Sequence, residues 1–264
     1  MDDAACGLVA QELQDALRTR TPIDPIRRSH PGLTVDDAYA IQLSQVTARQ
    51  RDGQQVQGHK VGLTSAAMQR QLGVGQPDYG HLYDSMFHLE GLPIALCEFI
   101  SPKVEPEIAF VLKRPLAGPG VNVAQALSAI DYVVPAIEII DSRIRDWDIS
   151  LVDTVADNAS SGGVVLGSRP IRIDAVDLRL SGCVLTRRGA VAGTGAGGAV
   201  LGSPVNALVW LANVVGRRGV TLEAGHVILP GAVTAAVPVT AGDAITATFG
   251  GMGSVTARFE EADR

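Results

Sequence analysis

The chain has 264 residues, of which 46% are hydrophobic and 19% charged, as in a folded globular protein and unlike a disordered one. Its net charge of −6, without a basic run, argues against nucleic acid as a partner. The acidic start MDDAACGLVA does not resemble a secretory signal, and the apolar stretch 197–216 is interrupted by Pro204 and glycines. Three widely spaced cysteines fit reduced thiols, so we expect a cytoplasmic protein without a membrane span.

The first part of the chain is predicted to be helical. Leucines recur at roughly helical spacing, at Leu8, Leu13 and Leu17. Three prolines in the segment 21–32 interrupt this pattern, and Thr34 followed by Asp37 forms a capping-box pattern that predicts the start of a second helix. We therefore expect a helical N-terminal part, residues 1–55, packed on a β-rich main domain, residues 56–264.

From residue 56 onward, short β-rich runs alternate with glycine, proline and aspartate. Helices are predicted at only a few places in this part, over 65–72, 123–130 and 206–215. Many strands with few helices between them argue against an alternating strand–helix design. The pattern predicts an α+β fold with a mixed or antiparallel sheet.

Three glutamates lie in apolar, strand-like segments: Glu105 and Glu107 in VEPEIAFVL, and Glu138 in PAIEIID. An isolated carboxylate is costly to keep ionised in such a segment. Residues i and i+2 of a strand share a face, so Glu105 and Glu107 are predicted to lie side by side. Carboxylates held this close require a cation or a proton, and an all-oxygen set suits Mg²⁺ or Mn²⁺ better than zinc. The alternative is a pair of solvated strand carboxylates and an unrelated third one.

Two further charged residues are candidates for acid–base chemistry. Lys60, in GHKVGLTS, is predicted on a strand, where it either extends to solvent or is held near the acidic cluster to bind a carboxylate or move a proton. Asp78, in the turn-rich QPDYGHL, either caps its own turn or acts as a general acid or base from a loop. His59 can flank such a site or form ordinary hydrogen bonds.

Two polar segments are candidates for substrate contacts. In DTVADNASSGG, Ser160 and Ser161 either form turns or donate hydrogen bonds to a bound anion. In LPGAVTAAVPVTAGD, Gly231 and Thr234 either place donors against a carboxylate or form a plain strand connection. The segment 193–202, GTGAGGAVLG, has the composition of a dinucleotide-binding loop but the wrong frame, and we discount it.

Together these segments resemble the fumarylacetoacetate hydrolase superfamily, in its hydratase/decarboxylase branch. The resemblance runs from residue 37 to residue 259. It rests on GHKVGLTSAAMQRQLGV, QPDYGHL, VEPEIAF, PAIEIIDSRIRDW, DTVADNASSGG and GMGSV. It implies a mixed β-sheet roll or barrel core with a helical N-terminal part.

The resemblance also implies roles for particular residues. The implied metal ligands are Glu105, Glu107 and Glu138, and the implied catalytic residues are Lys60, Asp78 and Ser160. The implied substrate contacts are His59, Leu82, Ser161, Gly231 and Thr234. Pro106 departs from the family pattern, and because proline lacks an N–H it predicts an edge or bulged strand at this point.

The activity implied is metal-dependent addition of water to 2-hydroxypenta-2,4-dienoate in meta-cleavage catabolism of aromatic or steroid rings. Asp78 and His59 favour this hydratase over a 4-oxalocrotonate decarboxylase, and the short RDWDISLV favours a five-carbon monoacid over the seven-carbon 2-oxohept-4-ene-1,7-dioate. The alternatives are those two activities, a carbon–carbon bond hydrolase using His30, and a non-catalytic subunit. We also expect a homo-oligomer, with a complex with another pathway enzyme as a further option.

Overall fold

The computed structural model describes residues 1–261, and three helices precede its first strand: α1 (Asp3–Thr19), α2 (Ile26–Ser29) and α3 (Val35–Arg51). Helix α3 begins with the predicted capping box, in which Asp37 N donates to Thr34 Oγ1 at 3.2 Å and Thr34 N donates to Asp37 Oδ2 at 2.9 Å. On α1, Leu13 is buried whereas Leu8 is exposed. The predicted helical start of the chain is therefore present, although only part of its leucine pattern faces the core.

The remaining elements are mostly short strands. The strands are β1 (Val56–Gly62), β2 (Asp78–Tyr83), β3 (Phe87–His88), β4 (Pro93–Ala95), β5 (Lys103–Leu112), β6 (Ile130–Ile140), β7 (Ser161–Leu166), β8 (Gly182–Arg187), β9 (Ala190–Ala196), β10 (Val227–Leu229), β11 (Val237–Pro238), β12 (Ala244–Phe249) and β13 (Gly253–Glu260). The later helices are α4 (Ala66–Leu72), α5 (Val123–Ala129), α6 (Leu151–Ala156) and α7 (Pro204–Gly216). Helix α6 was not expected, because its second half belongs to the small and polar segment DTVADNASSGG, which also suits turns.

The strands form two sheets. The larger has the order β2-β1-β10-β5-β6-β7-β3, with β11 also pairing with β5, and the smaller has the order β4-β13-β12-β8-β9. Strands β1 and β10 pair in parallel, while β5 and β6 pair antiparallel along their whole length. This mixed sheet topology confirms the predicted α+β class.

The larger sheet is covered on both faces. Alternate residues of β5, such as Ile108 and Phe110, join an apolar cluster that also contains Leu13 of α1 and Ile41 of α3. The residues between them face the other way, where Ala109 joins a smaller cluster. The main cluster is thus continuous across residue 55, and the division of the chain at that point stays a prediction.

Helix α7 belongs to the apolar stretch 197–216, whose mean hydropathy of 1.5 and length would suit a membrane span. The α-helix itself covers 13 residues, or about 20 Å, against about 30 Å for a bilayer core. Leu208, Leu211 and Val215 on this helix are fully buried in the main cluster. Within the fold, α7 is a core helix.

Candidate metal centre and active site

Strands β5 and β6 bring the three glutamates together. Glu105 lies directly opposite Glu138 in the antiparallel register, and Glu107 is the next residue of β5 on the same face. Each offers an oxygen within 4.8 Å of the others. Glu107 and Glu138 are at most 1% exposed, so the solvated-pair alternative is wrong.

The electrostatics of this cluster favour a bound cation. Burial and the neighbouring Glu138 raise the pKa of Glu105 to about 7, and burial with the same neighbour raises the pKa of Glu107 well above its usual range. Glu107 Oε1 has no hydrogen-bond donor among the described residues. Two of the three carboxylates, Glu107 and Glu138, are fully buried and have oxygens without a hydrogen-bond partner among the described residues. Such a set fits a hard divalent ion, which would offset both burial and mutual repulsion.

Pro106 lies between Glu105 and Glu107 without disturbing the strand. Its carbonyl accepts a hydrogen bond from Val233 N at 3.1 Å, so its backbone polar groups face away from β6. The missing N–H therefore costs no bond of the β5–β6 pairing. The predicted edge or bulge is wrong: β5 is flanked on both sides, and its register shifts only between Val111 and Leu112.

Lys60 points from β1 toward the glutamates. Its Nζ lies 3.3 Å from Glu138 Oε1 and donates to Ala159 O at 2.9 Å, and the residue is 4% exposed. Burial lowers the pKa of Lys60, but the charges of Glu138 and Asp78 outweigh burial and raise it. The alternative in which this lysine extends to solvent is therefore wrong.

Asp78 is the first residue of β2, paired with Gly62 of β1, and is 1% exposed. Thr154 Oγ1 donates to its Oδ2 at 3.3 Å, while Oδ1 has no hydrogen-bond partner among the described residues. Burial raises the pKa of Asp78, opposed by the Lys60 charge and the Thr154 hydroxyl. A Cβ on Gly62 would lie 2.2 Å from Oδ1, so the glycine leaves room for this carboxylate.

A strained turn supplies the carbonyl that binds Lys60. Asn158, Ala159 and Ser160 have positive φ angles of 54°, 51° and 53°, a left-handed conformation that non-glycine residues rarely adopt in succession. The Asn158 side chain fixes one end of the turn, since Oδ1 accepts from His81 N at 2.8 Å and Nδ2 donates to His81 O at 2.9 Å. The turn directs Ala159 O at Lys60 and places Ser160 on the cavity wall.

A buried ion pair holds the other end of this turn. Arg143 Nε pairs with Asp157 Oδ1, and Nη1 donates to Asp141 O at 2.8 Å and to Ser161 O at 2.9 Å. Asp157 Oδ2 also accepts from Ser160 Oγ at 3.2 Å. Strained conformations persist only where the surroundings fix them, and this network does so.

The structure places three of the predicted substrate contacts away from the cavity. His59 is adjacent to Lys60 in a strand and therefore points to the opposite face, where its ring lies 4.8 Å from that of His81. Leu82 is fully buried in the smaller apolar cluster, and Ser161 Oγ donates to Asn158 O at 2.8 Å. His59, Leu82 and Ser161 do not line the cavity.

The connection between β10 and β11 has a different role from the one expected. Gly231 N donates to Glu107 Oε2 at 2.7 Å, so Gly231 orients one of the three glutamates and does not line the cavity. Thr234 lines the cavity, where its predicted contact with a substrate is sterically available. Behind this connection lies β9, where a Cβ on Gly195 would be 1.9 Å from Val233 O. The glycine-rich segment discounted as a dinucleotide loop thus allows β9 to approach the cavity wall.

The cavity has a volume of about 610 Å³. Its buried end contains Lys60 and Asp78, which are almost inaccessible, whereas Lys103 and Trp147 are half-buried and mark its mouth. Much of the rest is apolar: Leu63, Ile140, Ile149, Ala199, Ala232, Val233, Ala235, Ala236 and Pro238. The sequence reasoning missed Lys103, Trp147 and Thr154. Lys103 had a usable signal, since it stands two residues before Glu105 on the same strand face.

Comparisons with known proteins find similarity over most of the chain. A family described as Fumarylacetoacetate (FAA) hydrolase, C-terminal, matches residues 80–260. The 2-keto-4-pentenoate hydratase of Paraburkholderia xenovorans LB400 is 49% identical over 95% of this chain and 93% of its own. The 4-oxalocrotonate decarboxylase of Pseudomonas putida is 41% identical over 95% of each chain.

A solved structure extends the similarity to the whole fold. The 4-oxalocrotonate decarboxylase of Pseudomonas putida G7, complexed with magnesium and adipate, aligns with a TM-score of 0.95 and 39% identity. The alignment covers 98% of each chain. Both sheets and the N-terminal helices therefore have counterparts in that protein.

Proposed function

This chain belongs to the fumarylacetoacetate hydrolase family, and from that premise we propose that it is a hydro-lyase of meta-cleavage catabolism. It adds water to 2-hydroxypenta-2,4-dienoate (2-oxopent-4-enoate) and forms 4-hydroxy-2-oxopentanoate. The observation that carries the proposal is the position of two buried charged groups, Lys60 and Asp78, which lie with the glutamates at one end of a cavity. This arrangement provides a metal site and a proton carrier within reach of one small substrate.

Glu105, Glu107 and Glu138 would hold one divalent ion, and the oxygen-only donor set supports Mg²⁺ or Mn²⁺. Such an ion, when bound, supplies a Lewis acid for the 2-oxo acid end of the substrate. Gly231 N–H keeps Glu107 in place through Oε2 and leaves Oε1 free.

The reaction has two stages, and in each stage one proton is lost and one is gained. First the enol proton leaves the C2 oxygen and a proton is added at C5, which gives the conjugated 2-oxopent-3-enoate. Water then loses a proton as its oxygen bonds to C4, and C3 gains a proton.

We assign the water-deprotonating step to Asp78. Its Oδ1 has no donor among the described residues, and the raised pKa makes its carboxylate a stronger base once ionised. The neighbouring acidic groups keep Lys60 protonated, so its ammonium group stabilises negative charge that develops on the C2 oxygen. Ser160 and Thr234 form part of the wall around the substrate.

A second candidate is decarboxylation of 4-oxalocrotonate, which the similarity to the Pseudomonas putida G7 enzyme favours. His59 faces away from the cavity, so it no longer favours the hydratase over the decarboxylase. Of the two residues that favoured the hydratase, Asp78 remains. A hydrolase using His30 has less support, because His30 is the C-cap residue after α2 and does not line the cavity.

A spectrophotometric assay tests the proposal. The purified protein is expected to remove the absorbance of freshly generated 2-hydroxypenta-2,4-dienoate in the presence of Mg²⁺ or Mn²⁺, and to lose this activity with a chelator. Release of CO₂ from 2-oxohex-3-enedioate, without dienoate hydration, would favour the decarboxylase instead.

The substrate is thus a small molecule, and the setting we propose is the cytoplasm. We also propose that the protein is a homo-oligomer, since large apolar side chains such as Leu180, Leu89 and Val191 are more than 60% exposed. A complex with another enzyme of the pathway stays a prediction.

A further inference from the structure

Lys103 and Trp147 meet at the mouth of the cavity. The Lys103 Nζ lies over the indole of Trp147, 4.1 Å from the ring centroid. Among residues 1–261 this ammonium group makes no ion pair, although it faces a cavity that also contains Glu105. Lys103 therefore presents a cation, covered by an aromatic ring, in the half-buried part of the cavity.

The position of Lys103 relative to the metal ligands follows from strand geometry. Lys103, Glu105 and Glu107 occupy one face of β5, with about 6.6–6.8 Å between alternate residues. The cross-strand partners of Lys103 are Ile140 and Pro238, and both line the cavity. A substrate whose acid end lies at the glutamates thus extends its far end toward Lys103.

The backbone holds Trp147 in a rare conformation. Asp146 and Trp147 both have a φ of 57°, in the left-handed region. The indole N–H donates to Ser101 O at 2.9 Å. The next residue, Asp148, is also held: its carboxylate pairs with Arg28 at 2.7 Å. The backbone carbonyl of Asp148 accepts a hydrogen bond from Arg27 Nη1 at 2.6 Å. The indole is therefore fixed from both sides and does not rest loosely on the surface.

We propose that Trp147, by covering the Lys103 ammonium group, selects 2-oxo acids with a short, uncharged far end against those with a second carboxylate. This inference rests on the proposed function, because it assumes that the 2-oxo acid end lies at the glutamates. Removing the indole uncovers a cation that can pair with a distal carboxylate. Trp147 is then a specificity-determining residue, and a dicarboxylic 2-oxo acid is the ligand that it excludes.

The test compares two unreactive ligands of equal length, 2-oxohexanoate and 2-oxoadipate, which differ at the far end in the second carboxylate. Their affinities for the Mn²⁺-loaded protein are measured by calorimetry. We expect Trp147→Ala to raise the affinity for 2-oxoadipate relative to 2-oxohexanoate by about tenfold. Adding Lys103→Met to this variant should remove the gain.

Three variants control this experiment. Trp147→Phe keeps an aromatic face on Lys103 and should retain the wild-type preference, whereas Trp147→Leu fills much of the space but should behave like Trp147→Ala. Trp210→Leu changes the other tryptophan of the chain, on α7 and away from the cavity, and should leave the preference unchanged. Mn²⁺ affinity and melting temperature check that each variant is folded.

An unchanged preference in Trp147→Ala or Trp147→Leu would overturn the inference, as would a gain that persists in the Lys103→Met double variant. Failure of the proposed hydration would be seen separately, as missing turnover of 2-hydroxypenta-2,4-dienoate. The binding preference is measured without turnover, so the two failures are distinguishable.

Discussion

The Asp78 carboxylate is buried, has one open oxygen and lies beside a lysine that stays charged. We expect Asp78→Asn to lower kcat about 10²–10⁴-fold, because the amide cannot accept the proton of the attacking water. Mn²⁺ affinity should be retained, since Asp78 is not one of the three ligands. Steady-state hydration rates and metal titration measure the two effects.

The matched control is Asp84→Asn, a change at an exposed carboxylate just after β2 that binds Gln55 N outside the cavity. It should leave kcat within about twofold of wild type, as is usual for surface changes. Turnover in Asp78→Asn within tenfold of wild type would remove Asp78 from the role of base.

Individual residues show where sequence reasoning succeeds. The two-residue period of a strand predicts that Glu105 and Glu107 share a face, and the structure confirms it. The same rule should have excluded His59, which is adjacent to Lys60 and so faces the other side. Trp147 could not be placed, because no local pattern predicts two successive left-handed residues without glycine.

At the scale of elements, the turn between α6 and β7 depends on one buried ion pair. We expect Arg143→Met to lower the free energy of unfolding by about 3–5 kcal/mol, because it leaves Asp157 buried without its partner. Urea denaturation measures the loss. Activity should fall as well, because the turn directs Ala159 O at Lys60.

Arg145→Met is the control for this change. Arg145 also pairs with an aspartate, Asp24, but both side chains are more than half exposed. Loss of this exposed pair should lower the free energy of unfolding by less than about 1 kcal/mol. Equal losses in the two variants would mean that the buried pair does not fix the turn.

Among the elements, those with a local signal were predictable. The capping box of α3 and the strands of the glutamates follow from neighbouring residues. The pairing of β6 with β5, which places Glu138 opposite Glu105, joins segments about thirty residues apart, and only the resemblance to a known family indicated it. Helix α6 was missed because its second half belongs to DTVADNASSGG, whose small and polar residues also suit turns.

For the whole molecule, metal binding should couple to stability and pH. The folded-state pKa of Glu105, about 7, is above its ordinary value of 4.5, so the folded metal-free protein holds this proton more tightly than the unfolded chain. The contribution to stability is present below pH 4.5 and is lost as pH rises through 7. A bound divalent ion replaces the proton, so Mg²⁺ should raise the melting temperature more at pH 8 than at pH 5.5.

Thermal unfolding with Mg²⁺ or with chelator, at both pH values, measures this effect. Glu107→Gln is the informative variant, because the amide oxygen can still accept from Gly231 N while one buried charge is removed. Without metal at pH 8, its melting temperature should be higher than that of wild type. Adding Mg²⁺ should raise that melting temperature only a little. If Mg²⁺ raised the melting temperature of the wild-type protein equally at both pH values, the coupling between metal binding and pH would be contradicted.

Because β9 lies close to the cavity wall, substitutions on this strand can change the shape of the cavity during evolution. Gly195 contributes no side chain to the cavity, yet any larger residue there would press on Val233 O. Its neighbour Gly193 lies against Thr234, which lines the cavity. Selection for a new substrate can therefore act on a strand that no substrate reaches, and a search for altered variants that is confined to the cavity lining would overlook it.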